Sequence, residues 1–144
     1  MSVRALVFLI VLVLPACRGL DDPGAAVGVF FPRHGLSGPH TLAPLEGRLE
    51  VKDGCLWVVK PDGMRLLPIW PGGYGLRRAD GTLQVTDSAG RVVGAEGETL
   101  TLVGGQYPTN DARKIMGREE PRACRAGFWL VGSVTARAGR SSTP

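Results

Sequence analysis

The run Trp70-Pro71-Gly72-Gly73-Tyr74-Gly75 places two aromatic rings around glycines that let another backbone come close, and Arg77 follows two residues later. Stacked rings on a small β-structure are how OB-type domains take up oligosaccharides and oligonucleotides. Trp70, Tyr74 and Arg77 are therefore the candidate binding residues, with Trp57 and Trp129 expected on neighbouring strands. A structural reading competes with this one. Trp57 falls on the same alternating face as Cys55 and Val59, which is a core position, and Pro71-Gly72-Gly73 serves equally as a wide turn.

Residues able to do covalent or metal chemistry are sparse. Asp53, Asp62, Asp80 and Asp87 all stand in turn sequences, where an aspartate bonds its own backbone. His34 and His40 precede the first regular strand, with no cysteine or carboxylate close by to complete a metal site. Gly-x-Ser-x-Gly, P-loop and paired Cys-x-x-Cys patterns are absent. No catalytic residue, metal or cofactor is expected, and the chain is not read as an enzyme.

The beginning of the sequence carries a different kind of chemistry. Arg4 and the amino terminus are followed by ten unbroken apolar residues, 5–14, the charged and apolar regions of an export signal. A helix of ten residues rises about 15 Å against a hydrocarbon core of roughly 30 Å, too short to span it. The segment Leu14-Pro15-Ala16-Cys17 resembles the lipobox of bacterial lipoproteins. That resemblance implies cleavage after residue 16 and a diacylglycerol on Cys17. Two acyl chains hold a protein firmly where one holds it marginally. Residues 1–16 are thus expected to be removed, and residues 17–44, rich in turn formers, to tether the domain. The apolar patch 27–31 stands out within that tether as a segment that would bury, as a docked strand.

With Cys17 assigned to a lipid, Cys55 and Cys124 remain as a pair in an exported chain, either bridged or both reduced and buried. A bridge would close a long loop and contribute roughly 4 kcal/mol in the chain-entropy model. The net charge of +4 comes mostly from arginines scattered along the chain. With no basic cluster, nucleic acid is not an expected partner.

From Leu45 the hydrophobic pattern has period two, the mark of half-buried strands. Leu45, Leu49 and Val51 point one way, and Glu46, Arg48, Glu50 and Lys52 the other. Asp53-Gly54, Pro61-Asp62-Gly63, Asp80-Gly81, the turn at 87–90 and Glu96-Gly97 punctuate further strands. Residues 47–59 and 81–93 share the pattern Gly-x-Leu-x-Val-x-Asp, a turn and a second strand, each continuing into a third. Two packed three-stranded meanders are one reading of this; unrelated hairpins are the other. Gly104-Gly105 follows a strand without opening a helix and reads as a bulge or strand end. Asn110 or Asp111 caps a short helix from Ala112 whose apolar side is Ile115 and Met116, and Gly117 ends it.

The expected fold is all-β: a small antiparallel barrel of six to seven strands, OB-like or related, over residues 45–134, with one short helix before the last strand and a frayed tail at 135–144. Its match to the OB fold is partial, because that fold places its helix after the third strand. The segments Asp53-Gly54-Cys55-Leu56-Trp57-Val58, Ile69-Trp70-Pro71-Gly72-Gly73-Tyr74, Asp80-Gly81-Thr82-Leu83-Gln84-Val85 and Gly90-Arg91-Val92-Val93-Gly94 resemble small β-rich lipoproteins of bacterial envelopes. This resemblance implies a compartment and a fold and carries no activity. The expected location is extracytoplasmic, lipid-anchored to a bacterial cell membrane, with inner and outer membrane both open. The expected function is a binding module for an envelope polymer or a protein partner; the alternative is a structural or assembly lipoprotein without a small ligand.

Overall fold

The computed structural model describes residues 22–37 and 42–135. The leader, Cys17, His40 and the tail after Thr135 lie outside the described residues. Among the described residues nine strands follow one another: β1 Arg33–His34, β2 Ala43–Lys52, β3 Cys55–Val59, β4 Arg65–Pro71, β5 Gly75–Ala79, β6 Thr82–Thr86, β7 Val92–Ala95, β8 Thr99–Tyr107 and β9 Gly127–Thr135. A helix, α1 Thr109–Met116, and a 3-10 turn, Arg122–Cys124, lie between β8 and β9. The chain is mostly β, with its helix just before the last strand as expected.

The larger sheet has the order β1-β4-β3-β2-β8-β9, and β4 also pairs with β9. Five strands, β4-β3-β2-β8-β9, therefore form a ring. The expected all-antiparallel arrangement of six to seven strands gives way to a mixed one, for a geometric reason. Four antiparallel joins around five strands leave the first and last pointing the same way, so the closing pair must be parallel. Leu66 to Ile69 of β4 accordingly run parallel to Gly127 to Leu130 of β9.

Strands β5, β6 and β7 make a separate antiparallel sheet. The two meanders anticipated from the repeated pattern are out of step with this arrangement. The second copy supplies β6 and β7, but its third strand, β8, leaves to pair with β2 and β9, while β5 joins the small sheet from the other side. Turn chemistry explains why the hairpins form where they do. Asp53-Gly54 has φ of 54° and 73°, and Asp80-Gly81 has 51° and 76°. Positive φ at both central residues is the type I′ turn, whose twist matches that of the strands it joins.

Two apolar clusters hold these layers together. The first takes side chains from all five ring strands, including Leu45, Leu49, Leu56, Leu66, Leu102 and Val131, and it also takes Leu76, Leu83 and Val85 from the small sheet. It is the interior of the ring, closed over by the second sheet. The other lies on the outer face of β3, β4 and β9, where Trp57, Leu67, Ile69, Phe128 and Leu130 are covered by α1 through Ala112, Ile115 and Met116. Strands buried on both faces read as continuous apolar runs, which accounts for Cys55-Leu56-Trp57-Val58, Leu66-Leu67-Pro68-Ile69-Trp70 and Phe128-Trp129-Leu130-Val131.

The segment expected as a tether is part of the fold where it is described. β3 and β4 pair only at Val58–Leu66 and Val59–Arg65, then separate. Into the gap runs the N-terminal segment. The Phe30 N–H donates to the Gly54 carbonyl at 2.7 Å and the Trp70 N–H to the Pro32 carbonyl at 2.9 Å, and β1 runs parallel to β4 in register Arg33–Trp70 and His34–Pro71. Val29 and Phe31 enter the interior cluster, with Phe31 only 1% exposed. The apolar patch at 27–31 thus docks, as part of a wedge inserted between β3 and β4. Replacing Phe31 with Ala should cost about 3–5 kcal/mol, the usual range for a buried phenylalanine. Leu36→Ala, at an exposed position, should stay within about 0.5 kcal/mol. Urea denaturation of the two variants measures both; equal, small effects would mean that 29–34 is not packed.

Candidate functional site

The aromatic candidate residues are brought only partly together. Trp70 is 0% exposed. Its ring stacks on Phe31 at a centroid distance of 5.5 Å and on Tyr74 at 6.0 Å, so Phe31 occupies the face that a ligand would need. The reason is alternation along β4: Leu66 and Trp70 point into the ring while Leu67 and Ile69 point out. Tyr74 is half-buried, and desolvation, helped by the charge of Asp87, pushes its hydroxyl above the usual phenol range. Arg77 goes elsewhere. Leu76 takes the inward position on β5, leaving Arg77 exposed, with its Nε donating to Gln84 Oε1 at 2.9 Å. Of the expected binding trio, Trp70 and Tyr74 thus lie in one stack with Phe31, and Arg77 lies apart at the surface.

The glycine-rich loop is a tight four-residue turn, Pro71 to Tyr74. The Tyr74 N–H donates to the Pro71 carbonyl at 2.9 Å, and Arg33 Nη1 donates to the Gly72 carbonyl at 3.0 Å. Trp57 and Trp129 are also core residues, 5% and 8% exposed. Their strands are not neighbours, because β4 lies between β3 and β9. The Trp57 indole N–H donates to the Lys52 carbonyl at 3.3 Å. The register shifts between Val103 and Gly104, whose partners Ser133 and Val131 leave Gly132 of β9 as the extra residue, so the irregularity lies opposite the expected bulge; an added Cβ at Gly104 would lie 1.9 Å from the Leu130 carbonyl oxygen and 3.1 Å from Trp129 Nε1.

His34, expected outside the folded domain, is 4% exposed and has Nε2 2.8 Å from the Val131 carbonyl. That contact needs the proton on Nε2, and it ties the N-terminal wedge to β9. Among the described residues no group of three His, Cys, Asp or Glu side chains converges on a metal-sized site. Asp53, Asp62, Asp80 and Asp87 sit in turns; Asp62 accepts from the Met64 N–H at 2.9 Å and Asp87 from the Ala89 N–H at 2.9 Å.

A cleft of about 470 Å³ opens on the outer face of β2, beside the β3–β4 turn and the start of β8. Glu46, Arg48, Val59, Lys60, Pro61 and Thr99 line it. Gly47 faces the other way, into the ring, where a Cβ would lie 2.4 Å from a Val58 methyl. Around it, Arg48 and Arg65 both reach Glu50 at 3.3 Å and Lys60 reaches Asp62 at 3.0 Å. Exposed pairs of this kind add little to stability; they present mixed charge and hydrogen-bonding groups at a surface. Among the described residues no histidine, cysteine or serine lines the cleft. On sequence alone these residues read as the solvated face of a strand.

Two bonds fix the helical side of the molecule. Cys55 and Cys124 form a disulfide with Cα atoms 5.5 Å apart, tying β3 to the turn that leads into β9. Persistent disulfides belong to oxidising compartments, which points to an extracytoplasmic domain. Beside it Glu120, buried and acidic, accepts from Arg113 Nε at 2.9 Å and from Arg113 Nη2, with Arg125 Nε at 3.8 Å. Nothing in the residue pattern singled out Glu120, because an acid in a turn-rich stretch reads as surface. The hydrogen bonds from Arg113 hold its carboxyl below the ordinary value of 4.5. The folded state therefore binds this proton more weakly than the unfolded state. The stabilisation is complete above the ordinary carboxylate range and is lost as pH falls through the lowered value. Thermal unfolding followed from pH 7 to pH 3 should show this acid loss, and Glu120→Gln should flatten it. An unchanged pH profile in that variant would remove Glu120 as its source.

No known protein family, curated protein or solved structure matches the chain. The resemblance of residues 45–134 to envelope lipoproteins thus yields a small β-rich domain and no family. Among the described residues no helix is long and apolar enough to cross a membrane.

Proposed function

We propose that the protein is a lipid-anchored extracytoplasmic protein whose β-domain, a small closed barrel in this reading, works as a structural or assembly module of the bacterial envelope. The observation that carries this is the inward packing of the aromatic residues: Trp70 is 0% exposed and in stacking contact with Phe31 and Tyr74, so its ring is not offered at the surface for a small ligand to stack on. The disulfide supports the compartment, and Leu14-Pro15-Ala16-Cys17 supports the anchor. A second reading, a binding module for an envelope polymer, draws on the cleft between Glu46, Lys60 and Thr99, which offers charge and hydroxyl groups without aromatic rings.

Two readouts on the natural protein test the proposal. Cys17→Ser should move the protein to the soluble fraction or leave the leader uncut; a trimmed, membrane-bound variant would overturn the anchor. Titrating the acyl-free domain with envelope polysaccharide should leave tryptophan emission unchanged. A saturable emission shift would overturn the structural reading in favour of stacking, whereas saturable heat without an emission shift, abolished by Lys60→Glu, would select the polymer-binding reading.

A further inference from the structure

If Cys17 carries the anchor, the first described residue lies only five peptide units beyond it. Five units span at most about 18 Å fully extended. The far end of that short leash is clamped. Asp22 Oδ2 accepts from Arg118 Nη1 at 2.6 Å, and the same guanidinium lies 4.6 Å above the centre of the Phe30 ring. Phe30 itself packs against the outer apolar cluster beneath α1. The leash therefore enters the domain on the side formed by α1 and the Arg122–Cys124 turn.

We infer that this side of the domain, residues 109–126 with Asp22, sits directly on the membrane that holds the anchor, against its anionic headgroups. The inference rests on the lipid-anchor reading above and adds to it an orientation. A tether through residue 44 would have let the domain turn freely at roughly 30 Å; insertion of residues 29–34 between β3 and β4 removes that freedom. The surface suits the contact. Lys114, Arg118, Arg122 and Arg125 are exposed there, while Glu120 is buried under Arg113. The acids of this face are Asp22, paired with Arg118, Asp111, paired with Lys114 at 3.1 Å, Glu119 and the buried Glu120, so its five cations, Arg113 included, exceed them by one. Each lysine or arginine held near an anionic surface adds to the attraction within a Debye length. The cleft beside Lys60 and Thr99 belongs to β2, β3 and β8 and takes no part in the clamp.

The test compares backbone hydrogen exchange of the full acylated protein in bilayers containing a third phosphatidylglycerol with that of the acyl-free Cys17→Ser protein. Mass spectrometry of the N-terminal peptide is run on the same sample. Protection by the bilayer confined to 109–126, and absent at the turns 60–64 and 87–91, is the expected result. Arg122→Glu should weaken that protection while the protein stays in the membrane fraction and keeps its melting temperature. An acylated Cys17 with no protected face, or with protection at 60–64 instead, overturns the orientation and leaves the anchor standing. An unacylated Cys17 overturns the anchor, and the orientation with it.

Discussion

The backbone of β4 has to find partners along both edges, and three strands share the task. On one edge it meets β3 for two residues and then β1; along the other it meets β9. A buried strand with unpaired N–H and C=O groups would lose about the cost of a hydrogen bond at each. This requirement explains why the N-terminal segment is drawn into the sheet. Where β3 parts from β4 beyond the Val58–Leu66 pair, something else must supply acceptors, and the Pro32 carbonyl does so for Trp70. The wedge brings Val29 and Phe31 with it, and Phe31 then fills the ring face of Trp70 that would otherwise be open to a ligand.

Burial of both faces follows from the same arrangement. The ring interior consumes one set of alternating side chains, and α1 with the disulfide-bonded turn covers the second set on β3, β4 and β9. Among the described residues β2 and β8 are covered only from inside, which leaves Glu46, Arg48 and Thr99 at the surface and places the cleft there. The position of the polar surface is thus decided by where α1 lies.

Much of this was legible in the chain. The alternation in Leu45, Leu49 and Val51, the two Asp-Gly turns, the irregularity at Gly104 and the helix ending at Gly117 are local signals, and local signals survive folding. The Cys55–Cys124 pair was legible by elimination. The parallel closure of β4 on β9 was not, because pairing between distant strands leaves no mark within either of them. Nor was the burial of Phe31 and His34, since proline and glycine around them read as a linker until a gap elsewhere in the sheet calls for a filler. For the candidate site the failure was one of direction: an aromatic-glycine run looks the same whether its rings face solvent or core, and only the partner stacked on Trp70 decides.

The parallel join has a kinetic consequence. Leu66 meets Gly127 and Leu67 meets Phe128, contacts about 60 residues apart along the chain, and His34 reaches Val131 from farther still. Non-local pairings of this sort must meet their entropy cost before any contact rewards it. The local hairpins β2–β3 and β5–β6 can form early, but the sheet stays open, with β4 bare along one edge, until β9 arrives. A chain of this topology reaches its native state late and all at once, and during that interval its exposed edge is the place where it is most prone to pair with another copy of itself.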